Sequence, residues 1–414
     1  RAFLPPVWQA PHAAVPRAGP FVRLFWFYRP PKSCYTVCIV KPHRGNFSMI
    51  FYSCVALVGV ICAIVAQKEK QAANIFSYRL PRCNWKIWAF LSAVPFFLVM
   101  AFRYDVGTDY FFTYQPYFSG MVAGQHSTPD IEIGYWLINR FVLLFSSCNV
   151  WVFALSALVI IGFFWGAIWH LSPLPWFSVA LFFLSRHFFA GMNIMRQYMA
   201  MAILLFACRY LCKPCAWKFF LLVVVAASFH KTALLFAAAY ILIYLPITPK
   251  LAYILLTAGT LLRVPISLLL RQFLAGSSYE SYLGSAFDAT VSIYPQRFLI
   301  LLLFFLIASY AYPKGQKADT SYQVFFSLLT IALFLSCNYN LFPQIERILF
   351  YFEMSNIIFL PMVVSRISDR NLRYILIGLI CLVSTWFMLD EVIVRGSYEV
   401  IPYHCVFFPQ ISFF

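Results

Sequence analysis

The sequence predicts an all-α, polytopic integral membrane protein with about twelve transmembrane helices, on three observations. Hydrophobic residues make up 62% of the 414, only 11% are charged, and mean hydropathy is +0.78, whereas roughly a quarter of residues in soluble domains are charged. Apolar runs of about 17 to 25 residues, each long enough to cross hydrocarbon as a helix, recur along the chain. No ten-residue alternation of the barrel kind accompanies them.

Taken in order, the apolar runs place helices at 49–67, 85–102, 150–169, 174–190, 195–212, 217–229, 232–247, 251–271, 296–312, 322–339, 346–364 and 373–394. Basic residues then fall into alternate connections: Lys68, Lys70, Arg79, Arg82 and Lys86; Arg209, Lys213 and Lys218; Lys250; Lys314 and Lys317; Arg366, Arg370 and Arg373. Positive-inside bias makes these loops cytoplasmic and puts both ends of the helical region outside. Carboxylates, which set no orientation, segregate the other way. Glu69, Asp319 and Asp369 fall inside, while Asp105, Asp109, Asp130, Glu132, Glu280, Asp288, Glu346, Glu353, Asp390, Glu391 and Glu399 fall at or toward the outer face. Residues 103–149 form the longest polar connection, and 133–145 within it reads as a short helix on that face. Residues 1–48 hold no Asp or Glu and no initiating Met, so Met49 is expected to be the true start.

The net charge of +17 is spread over short loops with no basic helix face, so no nucleic-acid partner is expected. The twelve cysteines have no metal-ligand spacing with His, and Cys212-Lys-Pro-Cys215 reads as a loop of packing cysteines. No cofactor and no bound metal are expected. Walker loops, GxSxG elbows and HExxH pairs are absent, which argues against an ATPase, a serine hydrolase and a zinc protease.

The outer face collects the chemistry. Asp105 and Asp109 stand four residues apart around Gly107, placed to act as general base or to hold hydroxyls, or simply to form an acidic membrane-exit loop. Glu132 opens the surface helix, where a carboxylate also serves as a cap. Arg196 and Gln197 open another helix, and a planar guanidinium there suits phosphate oxygens. The runs 217–229 and 232–245 are too short for a simple crossing, so their shared turn at His230 and Lys231 is expected below the outer surface, in a cavity. His230 exchanges protons near neutral pH, and Lys231 neutralises phosphate or snorkels to headgroups. Glu346 and Arg347 begin a further span from outside, with Tyr351 and Glu353 further along it, and a structural ion pair between helices competes with a role in the site.

At these residues the chain resembles the EpsG family of bacterial membrane proteins, which belongs with Wzy-type exopolysaccharide and O-antigen polymerases. The matching features are Arg103-x-Asp-x-Gly-x-Asp-Tyr110 with Tyr114, Glu132-x-Gly-Tyr135, Asn193-x-x-Arg-Gln197, Phe229-His-Lys-Thr-Ala233, Glu346-Arg347 and Ile401-Pro-Tyr403, running from about Met49 to the C-terminus. The resemblance implies a GT-C-like helical architecture in the bacterial cytoplasmic membrane, active face outward. It implies a metal-independent glycosyltransferase that polymerises oligosaccharide repeat units carried on polyprenyl pyrophosphate. Asp105, Asp109, His230 and Arg196 are then the catalytic candidates. Arg103, Tyr110, Tyr114, Glu132, Tyr135, Asn193, Gln197, Lys231, Glu346 and Arg347 are the substrate-binding ones, with Asp105, Asp109 and Glu132 as fallback metal ligands. Expected partners are the lipid-linked oligosaccharide, membrane lipid, and a chain-length regulator and flippase of the same pathway. Glu280, Tyr282 and Asp288 are expected to cover the site. A flippase for a lipid-linked saccharide and a membrane acyltransferase are the alternatives.

Overall fold

The structure is a computed structural model that describes residues 45–75, 84–245, 247–274, 295–313, 319–338 and 345–413. The expected start at Met49 concerns a segment largely outside these residues. So do Arg79, Arg82, Lys314 and Lys317 of the basic loops and the covering loop with Glu280, Tyr282 and Asp288.

Helices dominate: α1 (Gly45–Ile75), α2 (Trp85–Ala101), α3 (Gln115–Val122), α4 (Ile133–Leu143), α5 (Val150–Leu171), α6 (Pro175–Leu184), α7 (His187–Asn193), α8 (Met195–Ala207), α9 (Arg209–Cys212) and α10 (Ala216–Phe229). After a 3₁₀ helix over Lys231–Ile243 come α11 (Pro249–Leu261), α12 (Arg263–Leu274), α13 (Pro295–Tyr310), α14 (Thr320–Cys337), α15 (Ile345–Glu353), α16 (Asn356–Ser365) and α17 (Arg370–Leu389). A two-stranded antiparallel ribbon, β1 (Tyr403–Cys405) and β2 (Phe408–Phe413), ends the chain.

Every expected helix has a helical counterpart, though fewer than twelve of those described are single long spans. Among the described residues five helices are long and apolar enough to span a membrane, or six if the pair α11 and α12, bent by 71°, counts as one. Several of the others are broken. Between α6 and α7 the chain turns through Arg186, whose φ of 60° is left-handed and incompatible with a continuing helix. The expected short span after His230 is resolved by backbone geometry: its 13 residues form a 3₁₀ helix, which rises about 2.0 Å per residue against about 1.5 Å in an α-helix. It therefore reaches about 26 Å instead of about 20 Å, most of one hydrocarbon thickness.

Caps fall where the sequence supplies them. Asp319 accepts from the Tyr322 amide at the start of α14, and Asp369 accepts from the Asn371 and Leu372 amides at the start of α17. Both sit at helix N-termini, where a carboxylate also meets the positive end of the dipole.

The packing is centred on α8, which is buried on nearly every side and lies against α5, α7, α10 and α15. A helix apolar all round belongs in the interior of such a bundle. The α2 helix is tied to α5 by the Trp165 indole N–H donating to Ser92 Oγ at 2.8 Å. The C-terminal segment folds back over the start of α1 and the end of α2. Tyr52 donates to the Val400 carbonyl at 2.8 Å, the Tyr104 amide to His404 at 2.9 Å, and the Gly107 amide to Glu399 at 3.0 Å.

One buried ionic cluster joins elements far apart in sequence. Arg186 at the break before α7 reaches Glu353 at 3.2 Å and Glu391, beyond α17, at 2.6 Å. Arg297 in the first turn of α13 donates through Nε to Glu353 at 3.0 Å and through Nη1 to Glu346 at 2.6 Å. Both guanidiniums lie against the Phe350 ring, and Tyr398 donates to Glu391 at 2.9 Å. Removing one partner of such a cluster strands a charge, so Glu353→Gln is expected to lower stability by about 3–5 kcal/mol. The double variant Arg297→Met/Glu353→Met should lose less than the sum of its single changes. Unfolding in detergent measures both, and strict additivity would contradict the coupling.

Candidate functional site

The connection between α2 and α4 is shaped by two glycines that let backbones approach. Gly107 has φ +98°, and a Cβ there would stand 3.1 Å from the Met192 carbonyl oxygen and 3.3 Å from Asn193 Cα. A Cβ on Gly134 would stand 2.6 Å from Ser228 Oγ and 2.9 Å from the Ser228 carbonyl. The first contact presses the loop holding Asp109 onto the turn before α8. The second presses the start of α4, and with it Glu132, onto the end of α10 beside His230. Four segments remote in sequence thus meet at one place.

Asn193 organises the first junction. Its side-chain oxygen accepts the Asp109 amide at 3.0 Å, and its carbonyl accepts the Tyr114 hydroxyl at 3.0 Å. That hydroxyl also accepts the Met195 amide at 2.8 Å and lies 3.5 Å from Asp109 Oδ2. Tyr114 therefore caps the start of α8, where the first helical amides lack internal partners. Tyr135 packs beside it, with ring centroids 5.7 Å apart.

Arg196 follows in the first turn of α8 and pairs through Nη1 with Glu132. Glu132 also faces His230, whose Nδ1 lies 3.4 Å from Oε1. The imidazole is otherwise enclosed, and neither ring nitrogen has a hydrogen-bond partner among the described residues. Burial by itself raises the Glu132 pKa, but His230 and Arg196 more than offset it and hold the carboxyl at about 2. Burial pushes Asp109 above the ordinary carboxylate range, against the pull of Arg196 and Arg347. Arg347 is exposed, and the helix carrying it is tied to α8 by Gln197, which donates to the Arg347 carbonyl at 2.7 Å. Thr232, just past His230, and Tyr351 on α15 share a hydrogen bond of 3.0 Å.

The structure thus brings together Asp109, Tyr114, Glu132, Tyr135, Asn193, Arg196, Gln197, His230 and Arg347. Lys231 is exposed beside them in sequence. Other expected site residues lie elsewhere. Asp105, with φ 51°, is exposed and has His404 as its neighbouring charge; burial raises its pKa and His404 opposes that. Arg103 is 1% exposed, with its guanidinium 4.5 Å over the Phe153 ring and Nη2 3.5 Å from Met195 Sδ. Tyr110 stacks on the same Phe153 ring at 4.8 Å, and Glu346 belongs to the ionic cluster with Arg297. The sequence reading passed over Arg297. Its signal was a lone Arg two residues past Pro295 at the start of an otherwise apolar run. Among the described residues no three His, Cys, Asp or Glu side chains converge as a metal-ligand set.

A family model described as EpsG family matches residues 86–405. The chain belongs to the EpsG family. The match starts later than the resemblance from Met49 would have it, and it contains every residue of the site. Membership and the apolar helices make the chain a multi-pass membrane protein with a role like that of a polysaccharide polymerase, of the glycosyltransferase kind. Neither a curated protein nor a solved structure matches it.

The depressed pKa of Glu132 fixes the sign of a pH effect. A carboxyl held at about 2 in the fold against an ordinary 4.5 contributes stability that is fully present above the higher value. That stability is lost as pH falls toward the lower one. The stability advantage of wild type over Glu132→Gln is therefore expected to be constant above about pH 5 and to shrink between about pH 4.5 and pH 2. Parallel unfolding curves for the two proteins across that window measure it, and a gap unchanged by pH would refute the ion-pair assignment.

Proposed function

We propose that this EpsG-family protein polymerises oligosaccharide repeat units carried on polyprenyl pyrophosphate, at the outer face of the bacterial cytoplasmic membrane and within a GT-C-like helical frame. The observation that carries the reading is the meeting of the Asp109 loop, the start of α8 with Arg196, the Glu132–His230 pair and the Arg347 turn of α15 at one place, held by Asn193, Glu132 and Gln197. Cations for a departing pyrophosphate thereby stand beside a carboxylate suited to accept a proton.

In the reaction, a hydroxyl oxygen of the acceptor unit attacks the anomeric carbon of the donor unit, and the bond from that carbon to the pyrophosphate oxygen breaks. Polyprenyl pyrophosphate departs with the bonding electrons, and the hydroxyl proton passes to Asp109 and then to solvent. The transition state resembles an oxocarbenium ion, so stabilising the leaving negative charge and removing the proton are the two tasks. Arg196 takes the first, with Arg347 and Lys231 in support, because guanidinium groups pair with phosphate oxygens in two-pronged fashion. Asp109 takes the second. Burial, by raising its pKa, makes it a better base than a solvated carboxylate. Asp105 serves less well because it faces His404. Glu132 and His230 orient Arg196. Cationic side chains at the pyrophosphate make the transfer independent of a divalent metal.

The test is incubation of the purified protein in nanodiscs with its synthetic polyprenyl-pyrophosphate repeat unit. Wild type is expected to give a ladder of multiples. Arg196→Ala, if it folds, should lose about 10²–10³ in rate, and Asp109→Asn about 10²–10⁴. EDTA should leave the ladder intact, and loss restored by Mg²⁺ would overturn the metal-independent mechanism. Binding without any ladder would instead favour a transporter of the lipid-linked saccharide, for which the bent α11–α12 pair and the break between α15 and α16 are the relevant features.

A further inference from the structure

An open groove of about 460 Å³ runs between α2 and α5, away from the site just described. Phe90, Val94 and Phe97 of α2 and Leu158, Gly162 and Trp165 of α5 form its apolar walls. One end differs in character. There Trp85 and Lys86 from the start of α2 face Trp169 and His170 from the end of α5.

Lys70 from α1 closes the same end. Its ammonium lies 5.0 Å from the Trp85 ring and 5.8 Å from the Trp169 ring, and it donates to the Trp169 carbonyl at 3.3 Å. Lys86 is exposed, with its ammonium 6.0 Å from the Trp85 ring. His170 uses Nδ1 toward the Gly166 carbonyl at 2.7 Å, which leaves Nε2 directed elsewhere. With Lys68 beside them, these outweigh the single acid on that turn, Glu69. Paired Trp residues with lysines at one end of an apolar crevice are what a membrane interface selects. A positive cluster there attracts anionic headgroups.

We infer that this groove is a binding site for one anionic glycerophospholipid, its phosphate at Lys86 and one acyl chain along Phe90, Gly162 and Phe97. Length supports this occupant. From Lys86 to Phe97 is about 17 Å of helix, close to half of a 30 Å hydrocarbon layer, so the groove fits a chain from one leaflet. The lysine end also excludes the lipid-linked donor. Lys86 stands about 25 Å of helix from Arg103 and the outer connection, so a carrier whose pyrophosphate sits at Arg196 has its charge at the wrong end. The inference rests on the membrane-spanning reading and not on the polymerase reading.

Gly162 gives a clean probe. A Cβ there meets nothing within 4 Å, as is also true at Gly378 on the exposed face of α17. Gly162→Leu therefore fills the groove without disturbing packing, and Gly378→Leu is the matched control. The protein is exchanged into micelles holding equal phosphatidylglycerol and phosphatidylcholine, and retained lipid is counted by native mass spectrometry. Wild type and Gly378→Leu are expected to keep one phosphatidylglycerol in preference to phosphatidylcholine. Gly162→Leu should lose it, and Lys86→Gln should retain about fivefold less, the effect of one lysine at a charged interface. Equal retention of the two lipids, unchanged retention in Gly162→Leu, or displacement of the bound lipid by polyprenyl phosphate at equal concentration would each overturn the assignment. Lys86→Glu, which repels the phosphate, guards against a mild Lys86→Gln effect.

Discussion

The buried pairing of Arg186 and Arg297 with Glu353 is the constraint on which the half of the molecule around the site depends. Glu353 is 8% exposed and Arg297 3%. Such a pair is weak evidence of net stability, since desolvation consumes much of the Coulombic gain, but it is strict about geometry. The α6–α7 break, the start of α13, the end of α15 and the turn after α17 must all be in place for Arg186 to reach Glu353 and Glu391 while Arg297 reaches Glu353 and Glu346. The left-handed backbone of Arg186 follows from this. That conformation is uncommon for a residue with a Cβ, and here it delivers a guanidinium into the protein between Glu353 and Glu391.

The cluster matters to the site through helix α15. Glu346, Phe350 and Glu353 lie along one side of that helix and face the two arginines. Arg347 and Tyr351 lie along another, meeting Gln197 of α8 and Thr232 of the 3₁₀ helix. Spacings of three and four residues put each set on its own face. One helix therefore transmits the rigidity of the ionic cluster to the residues around Arg196. The pair Glu346-Arg347, which reads in sequence as one motif, is divided between the two tasks.

How much of this was legible varied with the kind of signal. Helices and their order followed from hydropathy, because burying a helix in lipid needs a long apolar run and the chain supplies them. Crossing number did not follow, since composition says nothing of the left-handed turn at Arg186, the 71° bend after Leu261 or the 3₁₀ geometry after His230. At the site, Asp109, Glu132, Arg196 and His230 were legible as polar residues stranded at one end of apolar runs. Asp105 and Asp109 were not separable in sequence, because the turn at Gly107 that sends them apart depends on contact with Asn193, more than eighty residues away. Arg297 escaped notice for a related reason. A single Arg at a helix start resembles a headgroup anchor until the fold sets two glutamates against it.

Glu132 explains how a site with so many bases holds together before substrate arrives. It lies against both Arg196 and His230, so one carboxylate holds the guanidinium and the imidazole in place together. An anion entering this site meets an arginine already satisfied on one edge and must take its other edge or displace the carboxylate. Arg347 is exposed and is tied to α8 through its backbone carbonyl. On the polymerase reading proposed above, the free edge of Arg196 and the exposed Arg347 are the two cations offered to a pyrophosphate, a ligand of high and divisible charge.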